Sequence, residues 1–286
     1  MRKLVILAAL AGSVAARAVH AAPDLARQGA AAAEGEVQVF CAAGEVEVST
    51  WDLPEYRLEA SSDDGVERID VAEEPGVLTV RIIARKGATS SRDAKIQLRI
   101  PVGSRLEVTT VGARIGVYGL GGRAQLRSAS GLVEMVAARG PAEIHSVSGA
   151  VKYAGTGVPT TLHVETLSGR IDVRNAAGIL DAQSTVGAVH VDAVLADRIH
   201  VQATNGRAEV DARLSPQADV RVESFGGAVQ ARLVAEAGYR YDVGTQGGAF
   251  LTCFGRSERG TTGQVGAGVA TVRLRSFGSA IRLCDS

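Results

Sequence analysis

Apolar and polar residues alternate through most of this chain, and the alternation is reset at regular intervals by a corner of small residues. The octet SVSGAVKY begins at Ser146, and the variants SASGLVEM and TLSGRIDV stand before and after it. Taking the fourth residue of each octet as an anchor gives a series of equivalent positions. These are Ala113, Gly131, Gly149, Gly169, Gly187, Gly206, Gly227, Gly248 and Ser279. Self-similarity of this kind predicts a repeat architecture.

Fixed offsets from the anchors carry aliphatic side chains. Five residues before successive anchors stand Val108, Leu126, Ile144 and Val164. Two residues after them stand Ile115, Val133, Val151 and Ile171. The positions in between are mostly polar, and a period of two predicts a half-buried strand on each side of every corner.

A strand–corner–strand unit cannot bury its apolar face alone, whereas stacked units can. We therefore expect an all-β fold, a single-stranded parallel β-solenoid (β-helix-like) of about nine coils with an N-terminal β cap. The alternative is an antiparallel sandwich with regularly spaced hairpins. One register kept through all the copies favours the solenoid, because sandwich strands do not usually share one.

The pattern divides the chain into four segments. Residues 1–22 have basic residues, an apolar run and small residues in the order of a secretory signal peptide. Residues 23–33 are Ala-rich and predict a loose leader, residues 34–106 an N-terminal β cap continuous with the solenoid, and residues 107–286 the repeats. The last coil carries Arg273, Arg275 and Arg282, whose charges on a terminal coil would discourage edge-to-edge pairing with another molecule.

Charge and composition narrow the partners. The 31 basic and 31 acidic residues give a formal net charge of zero, which argues against nucleic acid as a partner. Aromatic residues make up only 4% of the chain, so aliphatic side chains must build the core. No later stretch reads as a transmembrane segment, and the signal peptide predicts an exported protein, periplasmic or secreted.

The repeats are similar to a bacterial family of exported putative adhesins of unknown function. The resemblance rests on serial units with Ser or Thr, Gly and alternating aliphatic residues, preceded by GEVEVSTWDLPEY and followed by LRIPVGSRLEV. It covers about Glu34 to Leu283. It implies a β-solenoid fold and an envelope location, and it implies no catalytic residues.

The three cysteines differ in their positions within the repeat. Cys253 and Cys284 each stand five residues after an anchor, so on neighbouring coils they would lie about 5 Å apart. This predicts a disulfide. Cys41 stands three residues before Gly44, where other repeats carry Ser or Thr, and predicts a buried free thiol. An intermolecular bridge is the alternative for this odd cysteine.

Candidate chemistry is confined to one outward row of the predicted strands. Six residues before successive anchors stand His163, Asp181 and His200, which strand spacing would stack in a column with steps of about 5 Å. Two imidazoles and a carboxylate could bind a divalent metal such as zinc. The other interpretation is a solvated polar ladder. Glu143 stands at the same offset in the preceding repeat, and His145 and Glu165 stand two residues further along the strands of Glu143 and His163.

Three classes of function follow. The first is an exported, non-enzymatic, adhesin-like scaffold or binding protein of the cell envelope, without a cofactor, whose partner is an envelope protein or a glycan. The second is a metal-binding envelope protein that uses the His163, Asp181 and His200 column. The third is a carbohydrate-active β-helix enzyme, which would need two convergent carboxylates. Asp192 and Asp211 are neighbours at one offset but would lie near return loops, as solvated turn residues do.

Overall fold

The computed structural model describes residues 25–86, 93–253 and 262–285. Every regular element in these ranges is a β-strand. None of them contains a helix long and apolar enough to cross a membrane. The predicted signal peptide, residues 1–22, lies outside the described residues.

Twenty-three strands follow one another along the chain. The first twelve are β1 (Leu25–Ala30), β2 (Glu36–Cys41), β3 (Ala43–Trp51), β4 (Glu55–Ser62), β5 (Val66–Glu74), β6 (Val77–Ala84), β7 (Asp93–Pro101), β8 (Arg105–Thr110), β9 (Arg114–Tyr118), β10 (Ala124–Ser128), β11 (Val133–Ala138) and β12 (Ala142–Ser146). The others are β13 (Val151–Gly155), β14 (Thr160–Thr166), β15 (Ile171–Ser184), β16 (Val189–Ala203), β17 (Ala208–Ser224), β18 (Val229–Val234), β19 (Tyr239–Thr245), β20 (Phe250–Thr252), β21 (Thr262–Val265), β22 (Ala270–Ser276) and β23 (Ile281–Asp285).

Parallel ladders bring equivalent positions of neighbouring repeats side by side. Leu126 on β10 pairs with Val108 on β8 and with Ile144 on β12. Val133 on β11 pairs in the same way with residues of β9 and β13. These side chains are fully buried. Aliphatic rows that run from strand to strand therefore form one continuous core, at the positions where the sequence pattern places apolar residues.

The predicted single-stranded parallel β-solenoid is wrong. The described strands form one mixed sheet of 23 strands that closes almost completely around its core. Strand β4 runs antiparallel to β1 and β7, β5 runs antiparallel to β6, and β21 runs antiparallel to β19. A period of two is common to parallel and antiparallel strands, so the residue pattern alone did not reveal these reversals.

The order of strands at the C-terminal end also departs from expectation. Strand β22 lies between β17 and β19, and β23 lies between β18 and β20, so the last repeat of the sequence is not the end of the stack. Its arginines therefore do not guard an edge. Arg275 pairs with Asp242 at 2.6 Å, and Arg273 lies 3.8 Å from Asp219 on the opposite neighbour.

Part of the segment predicted as a loose leader, residues 23–33, is a strand in the structure. Leu25–Ala30 form β1, which pairs along its whole length with β4. An antiparallel strand of largely exposed residues thus covers the edge of β4, which would otherwise offer unpaired backbone groups.

The corners explain why the octet recurs. The buried Ser146 side chain accepts a hydrogen bond from the backbone N–H of Gly149 at 2.9 Å, and Ser224 does the same for Gly227. A Cβ on Gly149 would lie 1.8 Å from the carbonyl oxygen of Gly131 in the preceding corner. In these corners the hydroxyl three residues before the glycine holds the turn by accepting its N–H. The glycine lets successive corners pack closely because it has no Cβ.

Candidate functional site

The predicted column of His163, Asp181 and His200 is assembled by β14, β15 and β16. His163 pairs with Asp181, and Asp181 pairs with His200, in the parallel register of these strands. The Nδ1 atoms of the two histidines lie 3.4 and 3.5 Å from opposite oxygens of the Asp181 carboxylate. Asp181 thus stands between the two imidazoles, and metal binding by all three residues stays a prediction.

Two other groups bring three ligand atoms within 4.8 Å of one another among the residues described. One group comprises His145, His163 and Glu165, and it shares a single histidine with the predicted column. The second comprises His190, Glu209 and Asp211.

The second group is already occupied by a guanidinium. Arg232 lies 2.6 Å from Asp211 and 3.2 Å from Glu209. The hydrogen bond to Asp211 raises the pKa of Arg232 above its usual value. This pairing also leaves Asp211 poorly suited to act with Asp192, its neighbour in register, as a pair of catalytic carboxylates.

His145 stands between two carboxylates. Its Nε2 lies 2.8 Å from Glu143 on the same strand, and its Nδ1 lies 3.2 Å from Glu165 on β14. The pKa of Glu143 is lowered, first by the hydrogen bond from His145 and then by that from Gln125. The neighbouring ring of His163 is tilted by 60° at a centroid distance of 5.6 Å.

A groove of about 540 Å³ runs across the strands beside this cluster. It is lined by three parallel rows of side chains, one residue of each row per strand. One wall is polar and contains Arg127, His145, Glu165, Gln183 and Gln202. The floor consists of the corner residues Thr110, Ser128, Ser146, Thr166 and Ser184, whose side chains are buried. The other wall contains Ala129, Val147, Leu167, Thr185 and Thr204.

The second wall belongs to an exposed row that continues past the groove at both ends. Its members stand two residues before each anchor. Val111 is 62% exposed and Leu167 54%, although both are large aliphatic residues. Farther along the same row, the exposed rings of Phe225 and Phe277 stack at a centroid distance of 4.7 Å. Large apolar side chains that recur in solvent along one row of corners are typical of an interaction surface.

The histidine column is predicted from the sequence, whereas the groove was not predicted. The signal was present, because Val111, Val147, Leu167, Phe225 and Phe277 share one offset from their anchors. An apolar residue beside a turn is normally unremarkable, and only its recurrence at one offset indicates a continuous surface.

The structure contains the predicted disulfide between Cys253 and Cys284, with the two Cα atoms 4.9 Å apart. Cys41 is buried and free, as predicted. Its thiol donates a hydrogen bond to the backbone carbonyl of Ala43 at 3.1 Å, and burial raises its pKa to about 11. Cys41 thus occupies the corner position that a hydroxyl fills in other repeats.

Solved structures that carry adhesin names align along most of the chain. A putative adhesin from Bacteroides fragilis NCTC 9343 is 12% identical, with a TM-score of 0.46 over 91% of this chain and 97% of that one. A putative adhesin from Parabacteroides distasonis ATCC 8503 is 11% identical, with a TM-score of 0.42 over the same shares. A putative cell adhesion protein from Clostridium sporogenes ATCC 15579 is 9% identical, with a TM-score of 0.28 over 92% of this chain and 100% of that one.

No protein-family profile and no curated protein sequence matches the chain. At these identities and TM-scores, the likeness to the solved structures carries no inference about function. The groove and its surroundings are the features of the molecule that indicate a function.

Proposed function

We propose that this chain is an exported, non-enzymatic binding protein of the cell envelope that holds an elongated glycan in the groove. The observation that supports this proposal is the groove itself, with a polar wall and a partly apolar wall whose positions repeat from strand to strand. It crosses six strands, and the five spacings between them give about 24 Å at about 4.8 Å each. A repeating site of this shape suits a chain of repeating units.

The floor of the groove favours a glycan over a peptide. Extended peptides gain affinity largely by adding main-chain hydrogen bonds to a free strand edge. The strands under the groove have neighbours on both sides, as β12 does between β10 and β14. Recognition must therefore come from side chains. The amide groups of Gln183 and Gln202 on the polar wall both donate and accept, and so they match the hydroxyls of a sugar chain.

The walls divide the recognition between them. Gln183, Gln202 and His145 offer hydrogen bonds on one side, while Val147 and Leu167 offer apolar contact to the C–H faces of the sugar rings on the other. Glu165 is the one carboxylate among the described residues that line the groove. Glycoside hydrolysis by the usual route needs two carboxylates at the scissile bond, so the groove favours binding over cleavage.

The test is binding of the purified protein to an array of neutral, amino and acidic oligosaccharides, followed by calorimetry with the strongest binder. Leu167→Asp places a charge on the apolar wall and should weaken binding at least about tenfold, which corresponds to about 1.4 kcal/mol. Val158→Asp is the matched control, because Val158 is 50% exposed but lies outside the groove.

Binding that Leu167→Asp abolishes and Val158→Asp leaves intact would support the proposal. Absence of binding to every oligosaccharide, or equal loss in both variants, would contradict it. Release of shortened oligosaccharides during incubation would contradict the non-enzymatic part.

A further inference from the structure

The polar wall of the groove contains a cluster of histidines and carboxylates whose arrangement glycan binding does not explain. Glu143 and His145 stand on β12, and His163 and Glu165 stand beside them on β14. In register, Glu143 faces His163 and His145 faces Glu165. The two imidazoles and the two carboxylates therefore alternate around this four-residue cluster. The side chains of both histidines are about one-third exposed, so an ion could reach them from solvent.

A neutral His145 can donate a hydrogen bond to only one of the two carboxylates that it contacts, so a cation would stabilise its other ring nitrogen. A neutral imidazole has a single N–H and can donate to only one carboxylate. Here one nitrogen faces Glu143 at 2.8 Å and the other faces Glu165 at 3.2 Å. When Nε2 donates to Glu143, the lone pair of Nδ1 points at the lone pairs of Glu165. A metal ion between these two atoms removes the repulsion, and a proton on Nδ1 is the other way to do so.

We propose that His145, His163 and Glu165 bind a zinc ion at the rim of the groove. One ligand atom from each lies within 4.8 Å of the others. Ligands of a tetrahedral zinc ion with metal–ligand distances of about 2.1 Å lie about 3.4 Å apart. Small side-chain rotations therefore complete the site, and the fourth position stays open toward the groove.

Two further carboxylates orient the imidazoles. Glu143 accepts from Nε2 of His145, and Asp181 lies 3.4 Å from Nδ1 of His163. Each histidine thus has one nitrogen held by a carboxylate and the other available to the metal, the usual arrangement at zinc sites. Asp181 accordingly positions a ligand rather than serving as one, and His200, on the far side of Asp181, lies outside the site.

The experiment is competitive zinc titration of the purified protein against a chromophoric chelator, with cobalt absorption spectra to report tetrahedral coordination. We expect one zinc ion per chain. Glu165→Gln and His145→Gln should each weaken zinc binding at least about a hundredfold, and Asp181→Asn about ten- to a hundredfold. His200→Ala is the matched control and should bind as the unmodified protein does.

Equal loss in His200→Ala and Glu165→Gln would overturn the assignment and restore the column of His163, Asp181 and His200. Absence of stoichiometric zinc binding to the folded protein would overturn the metal site itself. Thermal melting of each variant without zinc separates a lost ligand from a lost fold. Zinc is measured without any glycan, so this result does not depend on the proposed function.

Discussion

At the scale of single residues, the corner determines the packing of the repeats. Each corner must turn the chain and leave room for the next corner a few ångströms away. Ser146 meets the first need by bonding the Gly149 N–H, and Gly149 meets the second by lacking a side chain that would strike Gly131. The same pairing recurs between Thr245 and Gly248 at 3.0 Å. This recurring hydrogen bond therefore explains the Ser or Thr that stands three residues before the anchor in these corners.

Removing the hydroxyl of Ser146 tests this account of the corner. Ser146→Ala leaves a buried N–H without its partner and should lower the free energy of unfolding by about 1–3 kcal/mol. Ser148→Ala is the matched control, because Ser148 is exposed in the same corner and water can replace its bond to Ala129; it should change the free energy by less than about 0.5 kcal/mol. Denaturant titration compares the two, and equal effects would contradict the role assigned to the buried hydroxyl.

At the scale of strands, the sequence predicts where strands lie and which residues face the core, but not their direction or order. Val133 and Val151 occupy equal offsets and are indeed neighbours. The reversal at β4 and the insertion of β22 between β17 and β19 leave no mark on the alternation, because any half-buried strand satisfies it. These choices depend on long-range pairing at the two ends of the sheet.

The disulfide tests the strand order at the C-terminal end. It joins β23 to the residue after β20, 31 positions apart in the sequence, and the chain between them includes β21 and β22. Cys253→Ser combined with Cys284→Ser should lower the free energy of unfolding by about 2–4 kcal/mol, since the unfolded chain loses a cross-link. Cys41→Ser, which places the usual corner hydroxyl at its site, is the control and should cost much less. Denaturant melts of both proteins under non-reducing conditions would show the difference, and equal melts would contradict it.

The candidate site was only partly predictable for a similar reason. Equal offsets correctly placed His163, Asp181 and His200 in one row, because the parallel register preserves offsets. They did not reveal which ring nitrogen faces which carboxylate. That depends on side-chain rotamers, which bring ligand atoms of His145, His163 and Glu165 within 4.8 Å of one another.

At the scale of the whole molecule, the repetition of the same positions on neighbouring strands turns single side chains into an extended surface. A single Leu167 or Gln183 offers little to a ligand, but the same two rows continue on every neighbouring strand of the groove. The contacts of these rows with a bound ligand therefore add up from strand to strand across the groove. A glycan bound there should therefore gain affinity with each added sugar until the groove is filled, and then gain no more.

The most direct test of this central claim is calorimetry with a series of oligosaccharides of increasing length, built from the unit that the array identifies. We expect the affinity to rise with the length of the oligosaccharide and to reach a plateau when it spans about 24 Å, the distance across six neighbouring strands. Leu167→Asp, in the middle of the groove, should flatten the rise. Full affinity for a single sugar, with no dependence on length, would contradict an elongated site.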